Sequence, residues 1–108
     1  MKLDELIKYL INPQDLEELY LMQGLNTESE ALLIYMKGNL DLKSEIIIFE
    51  LEETADNLLY KKDGISYIQL FPIDYAVELI ESVLNLRTKA NSNLEIAKRL
   101  LEYRQKDA

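Results

Sequence analysis

The sequence predicts one α+β domain over residues 1–108, with two N-terminal helices, a central antiparallel sheet of three or four strands, and two C-terminal helices. Apolar residues recur at helical spacing near both ends of the chain, and the middle carries short apolar runs typical of strands. A chain of 108 residues is close to the commonest size of a single domain, and no stretch separates it into two parts.

The first two elements are predicted as helices. Residues 3–11 place apolar side chains at positions i, i+3, i+4, i+7 and i+8, which is the pattern of an amphipathic helix. We expect Asn12 to cap a second helix whose first position is Pro13, because a proline there loses no hydrogen bond. Gly24 is expected just after the end of that helix.

Residues 30–37 are compatible with either a strand or a helix. The segment 27–30 (Thr-Glu-Ser-Glu) has the spacing of a capping box, which opens helices. Residues 32–36 form a short apolar run closed by Gly38, which is typical of a buried strand. We favour a strand, because the strands that follow require a neighbour to pair with.

Residues 45–52 (Glu-Ile-Ile-Ile-Phe-Glu-Leu-Glu) carry the clearest strand pattern in the chain. Three isoleucines and a phenylalanine in succession have high β-propensity. Such a run is expected to be buried on both faces or to occupy a central position in the sheet.

Residues 58–71 are predicted to form a β-hairpin. Asp63 and Gly64 suit a two-residue turn in which both positions have positive φ. This turn places Tyr60 opposite Tyr67 on one face of the sheet. Pro72 should end the second strand, because it has no amide hydrogen to donate.

Two helices are predicted after the hairpin. The first covers residues 75–86, with Asp74 as its cap and a wide apolar stripe that requires a sheet to cover it. Residues 88–92 resemble a hinge, and Ser92 opens the last helix with the spacing of a capping box. The expected core residues of the last helix are Leu94, Ala97, Leu100 and Leu101.

The charge balance bears on partners and on location. Twelve basic and twenty acidic residues give a net charge of −8, which repels nucleic-acid phosphate and attracts basic proteins. The chain has no cysteine, no apolar run of 18 residues, and acids already at positions 4 and 5. We therefore expect a cytoplasmic protein without a signal peptide, a membrane span or direct nucleic-acid binding.

The residue types that most enzymes use are missing. The chain has neither histidine nor cysteine, which excludes Ser–His and Cys–His nucleophiles and the usual zinc ligands. Its three glycines are scattered and form no phosphate-binding loop. We therefore expect no enzyme activity, no cofactor and no metal, while an enzyme that uses only carboxylates and tyrosines remains a third hypothesis.

The densest carboxylate cluster is followed closely by two tyrosines that the hairpin places side by side. Residues 50 and 52 would point to the same face if both lay on a strand. The cluster could instead be a solvated strand edge, and the rings could rim the core with their hydroxyls in water. The candidate partner-binding residues are Glu50, Glu52, Glu53, Asp56, Tyr60 and Tyr67.

These observations predict a non-catalytic acidic protein-binding module that docks on a basic partner, as nuclease inhibitors and immunity proteins do. The alternative is a self-associating structural domain, a homodimer with no separate ligand. That alternative arises because residues 45–52 and 75–86 are so apolar that they would need more cover than one chain of 108 residues offers, which a second copy supplies. The sequence leaves the oligomeric state and the identity of any partner open.

Overall fold

The computed structural model describes residues 1–26, 28, 31–83 and 92–107. It has the predicted α+β architecture, with helices at both ends flanking a four-stranded antiparallel sheet. The elements in chain order are α1 (Leu3–Leu10), a 3₁₀ turn (Pro13–Asp15), α2 (Leu16–Met22), β1 (Leu32–Lys37), β2 (Ile46–Glu50), α3 (Leu51–Thr54), β3 (Leu59–Lys62), β4 (Ile65–Pro72), α4 (Ile73–Glu78), a π-helical segment (Leu79–Val83) and α5 (Asn93–Asp107).

The strand prediction for residues 30–37 is confirmed over β1. The strands lie in the order β2-β1-β4-β3, so β1 pairs with β2 on one side and with β4 on the other. Tyr35 of β1 therefore stands between Ile47 of β2 and Gln69 of β4. Of the proposed capping box, residues 27, 29 and 30 lie outside the described residues.

Of the two alternatives for residues 45–52, burial on both faces is confirmed and a central position is not. β2 lies at an edge of the sheet and ends at Glu50, because the next four residues turn into α3. The strand is nevertheless buried on both faces, with Ile48 in the helix-side core and Phe49 in a cluster on the opposite face. The outer edge of β2 is partly paired, because the amide of Ile46 donates a hydrogen bond to the carbonyl oxygen of Met1.

The helices cover one face of the sheet. The register of β4 shifts between Ile34 and Tyr35 of β1, so that Ile34 faces Phe71 and Tyr35 faces Gln69. Leu70 is the extra residue of this bulge, and both Leu70 and Phe71 lie in the core beneath the helices. The helices contribute the core residues Leu3, Leu6, Ile7, Leu10, Leu16, Leu19, Ile73, Ala76, Leu79, Ile80, Ile96, Ala97, Leu100 and Leu101.

The N-terminal helices differ from prediction in their connection. The side chain of Asn12 does not cap the next helix, because its Nδ2 donates to the carbonyl oxygen of Lys8 at the end of α1. Pro13 begins the 3₁₀ turn, and α2 begins only at Leu16. Gly24 follows the end of α2 with a φ of 65°, as predicted.

The C-terminal helices also begin differently. α4 starts at Ile73, which places Asp74 in the first turn instead of at the cap. The remainder of the predicted helix 75–86 after residue 83, and the proposed hinge up to residue 91, lie outside the described residues.

The last helix keeps its predicted cap but not its whole predicted core face. Ser92 Oγ accepts a hydrogen bond from the amide of Glu95, as its spacing predicted. Leu94 is 45 % exposed, and Ile96 is buried in its place. The other three predicted core residues are buried.

The hairpin has the predicted turn and register. Asp63 and Gly64 both have positive φ, 54° and 77°, and Tyr60 faces Tyr67. A Cβ atom added at Gly64 would meet nothing within 4 Å, so the turn requires glycine for its backbone conformation and not for space.

Replacing Gly64 therefore tests the turn. We expect Gly64→Val to lower the free energy of unfolding by about 1–2 kcal/mol, because a β-branched residue resists positive φ. Gly64→Asn should cost clearly less, because asparagine tolerates the left-handed conformation. Urea denaturation of the three proteins measures the difference, and equal midpoints for the two variants would show that backbone conformation does not limit this turn.

Candidate functional site

Four of the six candidate residues, Glu53, Asp56, Tyr60 and Tyr67, contact side chains on the face of the sheet that the helices do not cover, here called the outer face. At its centre Leu33, Tyr35 and Phe49 are buried together. Because β2 and β3 are at opposite edges of the sheet, residues 51–58 must pass across β1 and β4 to join them. This crossing connection carries three of the candidate carboxylates.

A buried polar network fastens the crossing connection to the sheet. The Tyr35 hydroxyl donates to the carbonyl oxygen of Asn57 at 2.6 Å, and Gln69 Nε2 lies 3.2 Å from the Tyr35 hydroxyl oxygen. The same Nε2 donates to Asp56 Oδ1 at 3.0 Å. Asp56 is therefore a structural partner of the sheet, a role that sequence reasoning missed because Gln69 is thirteen positions away.

Glu53 also has partners within the chain. Its Oε2 accepts hydrogen bonds from Lys62 Nζ at 2.9 Å and from the Tyr60 hydroxyl at 3.0 Å. The Lys62 ammonium lowers the pKa of Glu53, and the Glu53 carboxylate in turn raises the pKa of Lys62. The pair ties the crossing connection to the edge strand β3.

The two candidate tyrosines pack against one phenylalanine. The ring centroids of Tyr60 and Tyr67 each lie 5.1 Å from that of Phe49, in edge-on geometry. The ammonium of Lys62 lies 5.5 Å from the Phe49 centroid, within the range of a cation–π contact. Both tyrosines are half-buried, so each ring offers part of its surface to solvent.

Glu50 and Glu52 do not share a strand face, contrary to expectation. β2 ends at Glu50, and Glu52 lies in the first turn of α3. Glu50 Oε2 accepts a hydrogen bond from the backbone amide of Asn26, which brings the segment after α2 beside the end of β2. Glu52 is exposed. The structure thus brings Glu53, Asp56, Tyr60 and Tyr67 together at the outer face, while Glu50 bonds to the segment after α2 and Glu52 is exposed on α3.

The described residues contain no group of three or more carboxylates close enough to hold a metal ion. The lowered pKa of Glu53 is the opposite of what a general acid near neutral pH requires. What this region offers instead is a carboxylate-rich rim beside partly exposed aromatic rings. Such a combination suits recognition of another protein surface.

The fold and this region define an α+β domain with an acidic, aromatic outer sheet face. Comparison of the chain with known protein families, with curated proteins and with solved structures finds no match in any of the three. Across the described residues, no helix has both the length and the apolar character needed to cross a membrane.

Removing one hydroxyl tests the polar network. Tyr35→Phe should lower the free energy of unfolding by about 1–3 kcal/mol, because Gln69 and the Asn57 carbonyl lose a buried partner. Tyr67→Phe is the matched control, since its hydroxyl makes no hydrogen bond to any described residue, and it should change stability by less than about 0.5 kcal/mol. Equal urea midpoints for the two variants would contradict the role given to Tyr35.

The Glu53–Lys62 pair should make stability depend on pH at both extremes. The folded pKa of Glu53 lies below its ordinary 4.5, so its stabilisation is present above that pH and is lost as pH falls through the folded pKa. The folded pKa of Lys62 lies above its ordinary 10.5, so its contribution is present below that pH and is lost as pH rises through the folded pKa.

Thermal unfolding of the wild type and of Glu53→Gln across the pH range checks this expectation. The difference in Tm between the two proteins should be largest near neutral pH and should shrink towards strong acid and strong base. A difference that stays constant from acid to base would show that the carboxylate charge of Glu53 contributes nothing to stability.

Proposed function

We propose that this chain is a non-catalytic protein-binding module of the inhibitor or immunity type, which docks on a basic partner through the acidic rim of its outer sheet face. The observation that carries the proposal is the position of Glu50 and Glu52. Glu50 ends β2 and Glu52 lies in the first turn of α3, at the start of the connection in which Glu53 bonds to Tyr60. The proposal keeps the cytoplasmic location expected for a chain without cysteine, and no direct contact with nucleic acid.

The uneven distribution of charge supports this surface. Residues 1–60 contain thirteen of the twenty acidic residues but four of the twelve basic ones. Residues 61–108 contain seven acidic and eight basic residues, which is nearly neutral. The negative charge is therefore concentrated in the first sixty residues, which include the four candidate carboxylates, and it would attract a basic partner before contact.

The carboxylates of the cluster contribute unequally to such docking. Glu53 is neutralised by Lys62, and Asp56 is held by Gln69, so both are already engaged within the chain. Glu50 has a backbone amide as its partner and keeps its charge uncompensated by any ion pair among the described residues. We assign Glu50, for its uncompensated charge, and Glu52, for the exposure of its side chain, to meet the partner's cations.

Apolar contact would come from the end of α2. Leu21 and Met22 are exposed there, a few residues before the Asn26 amide that binds Glu50. Interfaces combine an apolar centre with a polar rim, and methionine and tyrosine are enriched in them. The exposed end of α2 supplies apolar surface next to the carboxylates.

Self-association remains the alternative proposal, but the argument that two apolar segments need a second copy to cover them is weakened. Ile48 and Ile80 are buried within a single chain, so neither segment needs a second copy to cover these side chains. The edge strand β3 does expose Leu59, which favours contact between copies. It also carries Lys61 and Lys62, whose charges oppose the pairing of two such edges.

The test is capture of partners from the cells that express the protein, at low and at high salt, followed by kinetics with the captured protein. The wild type should associate faster as ionic strength falls, because the Debye length grows from about 3 Å at 1 M to about 10 Å at 0.1 M salt. The double variant Glu50→Gln/Glu52→Gln should slow association several-fold at low salt and should flatten its salt dependence.

The matched control is Glu95→Gln/Glu102→Gln on α5, which removes the same amount of charge from two exposed positions outside the proposed surface. If both double variants slow association equally, net charge and not the proposed surface attracts the partner. If the bait recovers only itself and is dimeric in gel filtration, the basic-partner proposal is wrong and self-association replaces it.

A further inference from the structure

A groove lies at the edge of the sheet where β3 stops and β4 continues. β3 begins at Leu59, opposite Ile68, whereas β4 runs on to Pro72. The space beside this extension has a volume of about 330 Å³, near the lower end of the roughly 300–1,000 Å³ of ligand sites. Its lining residues are Leu58, Gln69, Leu70, Phe71, Pro72, Tyr75 and Arg104.

The walls of the groove are largely apolar and partly uncovered. Leu58 is 63 % exposed and Tyr75 is 38 % exposed, and they are two of the six large apolar or aromatic side chains that stand out to solvent in the described part of the chain. Phe71 forms the buried base, with the ring of Tyr75 5.5 Å away in edge-on geometry. Exposed apolar side chains gathered around one concavity mark a site of interaction more than scattered ones do.

One cation is held at this apolar groove. Arg104 Nε donates to the carbonyl oxygen of Gln69 at 3.2 Å, which anchors one side of the guanidinium to the backbone of β4. Among the described residues no carboxylate forms an ion pair with Arg104. The anchored guanidinium therefore keeps donors for a planar anionic group, and two parallel hydrogen bonds to a carboxylate fit that geometry.

The described lining of the groove contains no acidic residue, and the carboxylate of Asp56, which bonds to the lining residue Gln69, is the nearby acid that the structure identifies. The groove is built mainly from β4, α4 and α5, which belong to the nearly neutral part of the chain and not to its acidic part. On α5 the side chains of Lys98, Arg99 and Lys106 are exposed. A small anion approaching from this side meets a weaker negative field than the net charge of −8 suggests.

We propose that this groove binds a small carboxylic acid with an aromatic or branched aliphatic body, the carboxylate on Arg104 and the body against Leu58, Phe71 and Tyr75. The volume of about 330 Å³ equals that of roughly ten water molecules in the liquid, at about 30 Å³ each, which is enough for a ligand of the size of phenylacetate. The site is separate from the acidic rim, so it neither requires nor supports docking on a basic partner.

Titration of the isotope-labelled protein with phenylacetate, followed by NMR, tests the site, with phenylacetamide as the neutral probe of the same shape. Phenylacetate should shift the resonances of Leu58, Phe71 and Tyr75 with a Kd on the order of 1 mM, since a ligand of this size reaches only modest affinity. Phenylacetamide should bind about tenfold more weakly, because it lacks the charge that strengthens the bond to a guanidinium.

Two variants separate a binding role for Arg104 from a structural one. Arg104→Gln should weaken phenylacetate about tenfold, to the level of the amide, while leaving amide binding unchanged. Arg99→Gln removes an equal charge from an exposed position of the same helix and should leave both affinities unchanged.

Three outcomes would overturn the proposal. If the wild type binds phenylacetate and phenylacetamide equally, the groove recognises only the apolar body of the ligand and not its carboxylate. If Arg99→Gln weakens phenylacetate binding as much as Arg104→Gln does, the effect comes from net charge and not from Arg104. If Arg104→Gln lowers stability and weakens both probes alike, Arg104 serves only to join α5 to β4. A peptide that ends in a free phenylalanine carboxylate tests whether the ligand is the C-terminus of a protein, with the amidated peptide as its control. Tighter binding of the free peptide than of phenylacetate would assign the groove to a protein partner.

Discussion

Burial of β1 on both faces is the constraint on which the rest of the structure depends. Leu33, Ile34, Tyr35 and Met36 are each at most 1 % exposed, so four consecutive side chains need cover from two directions. Ile34 and Met36 are covered by the helices, and Leu33 and Tyr35 by the cluster around Phe49. A sheet with one solvated face could not hold this strand at its centre. The chain therefore builds a second, smaller core on the outer face, and the candidate site is the outer surface of that core.

The crossing connection meets this requirement and explains why part of the acidic cluster is structural. Strands β2 and β3 are at opposite edges, so the chain must pass over the outer face between them. In doing so it brings backbone and carboxylate oxygens next to buried Tyr35 and Gln69. Among the described residues no buried side-chain polar atom lacks a hydrogen-bond partner, and Asp56 and the Asn57 carbonyl contribute to that balance. The same connection leaves the side chain of Glu52, one of the two residues proposed for docking, exposed to solvent.

Much of the candidate site was predictable from sequence because its signals are local. The Asp63-Gly64 turn places Tyr60 opposite Tyr67 without any knowledge of the rest of the fold. The carboxylates are close together in the chain, but they bond to different parts of the fold, Glu50 to the segment after α2 and Glu53 to the hairpin. What could not be predicted is which of them keeps its charge available. That depends on Lys62 and Gln69, whose distance from Glu53 and Asp56 is set by how the connection crosses the sheet.

The sequence by itself determined the class of the fold, the elements with regular periodicity and the excess of negative charge, because propensity, spacing and composition act over a few residues or sum over the whole chain. Only the tertiary structure decided that residues 32–37 form the central strand and 46–50 an edge, since both runs are equally apolar and strand order depends on long-range pairing. The groove at Arg104 also depends on the tertiary structure, because β4 extends beyond its pairing with β3 and Arg104 of α5 bonds to that extension of β4. Residues more than thirty positions apart in the sequence come into contact there, and no local sequence pattern predicts that contact.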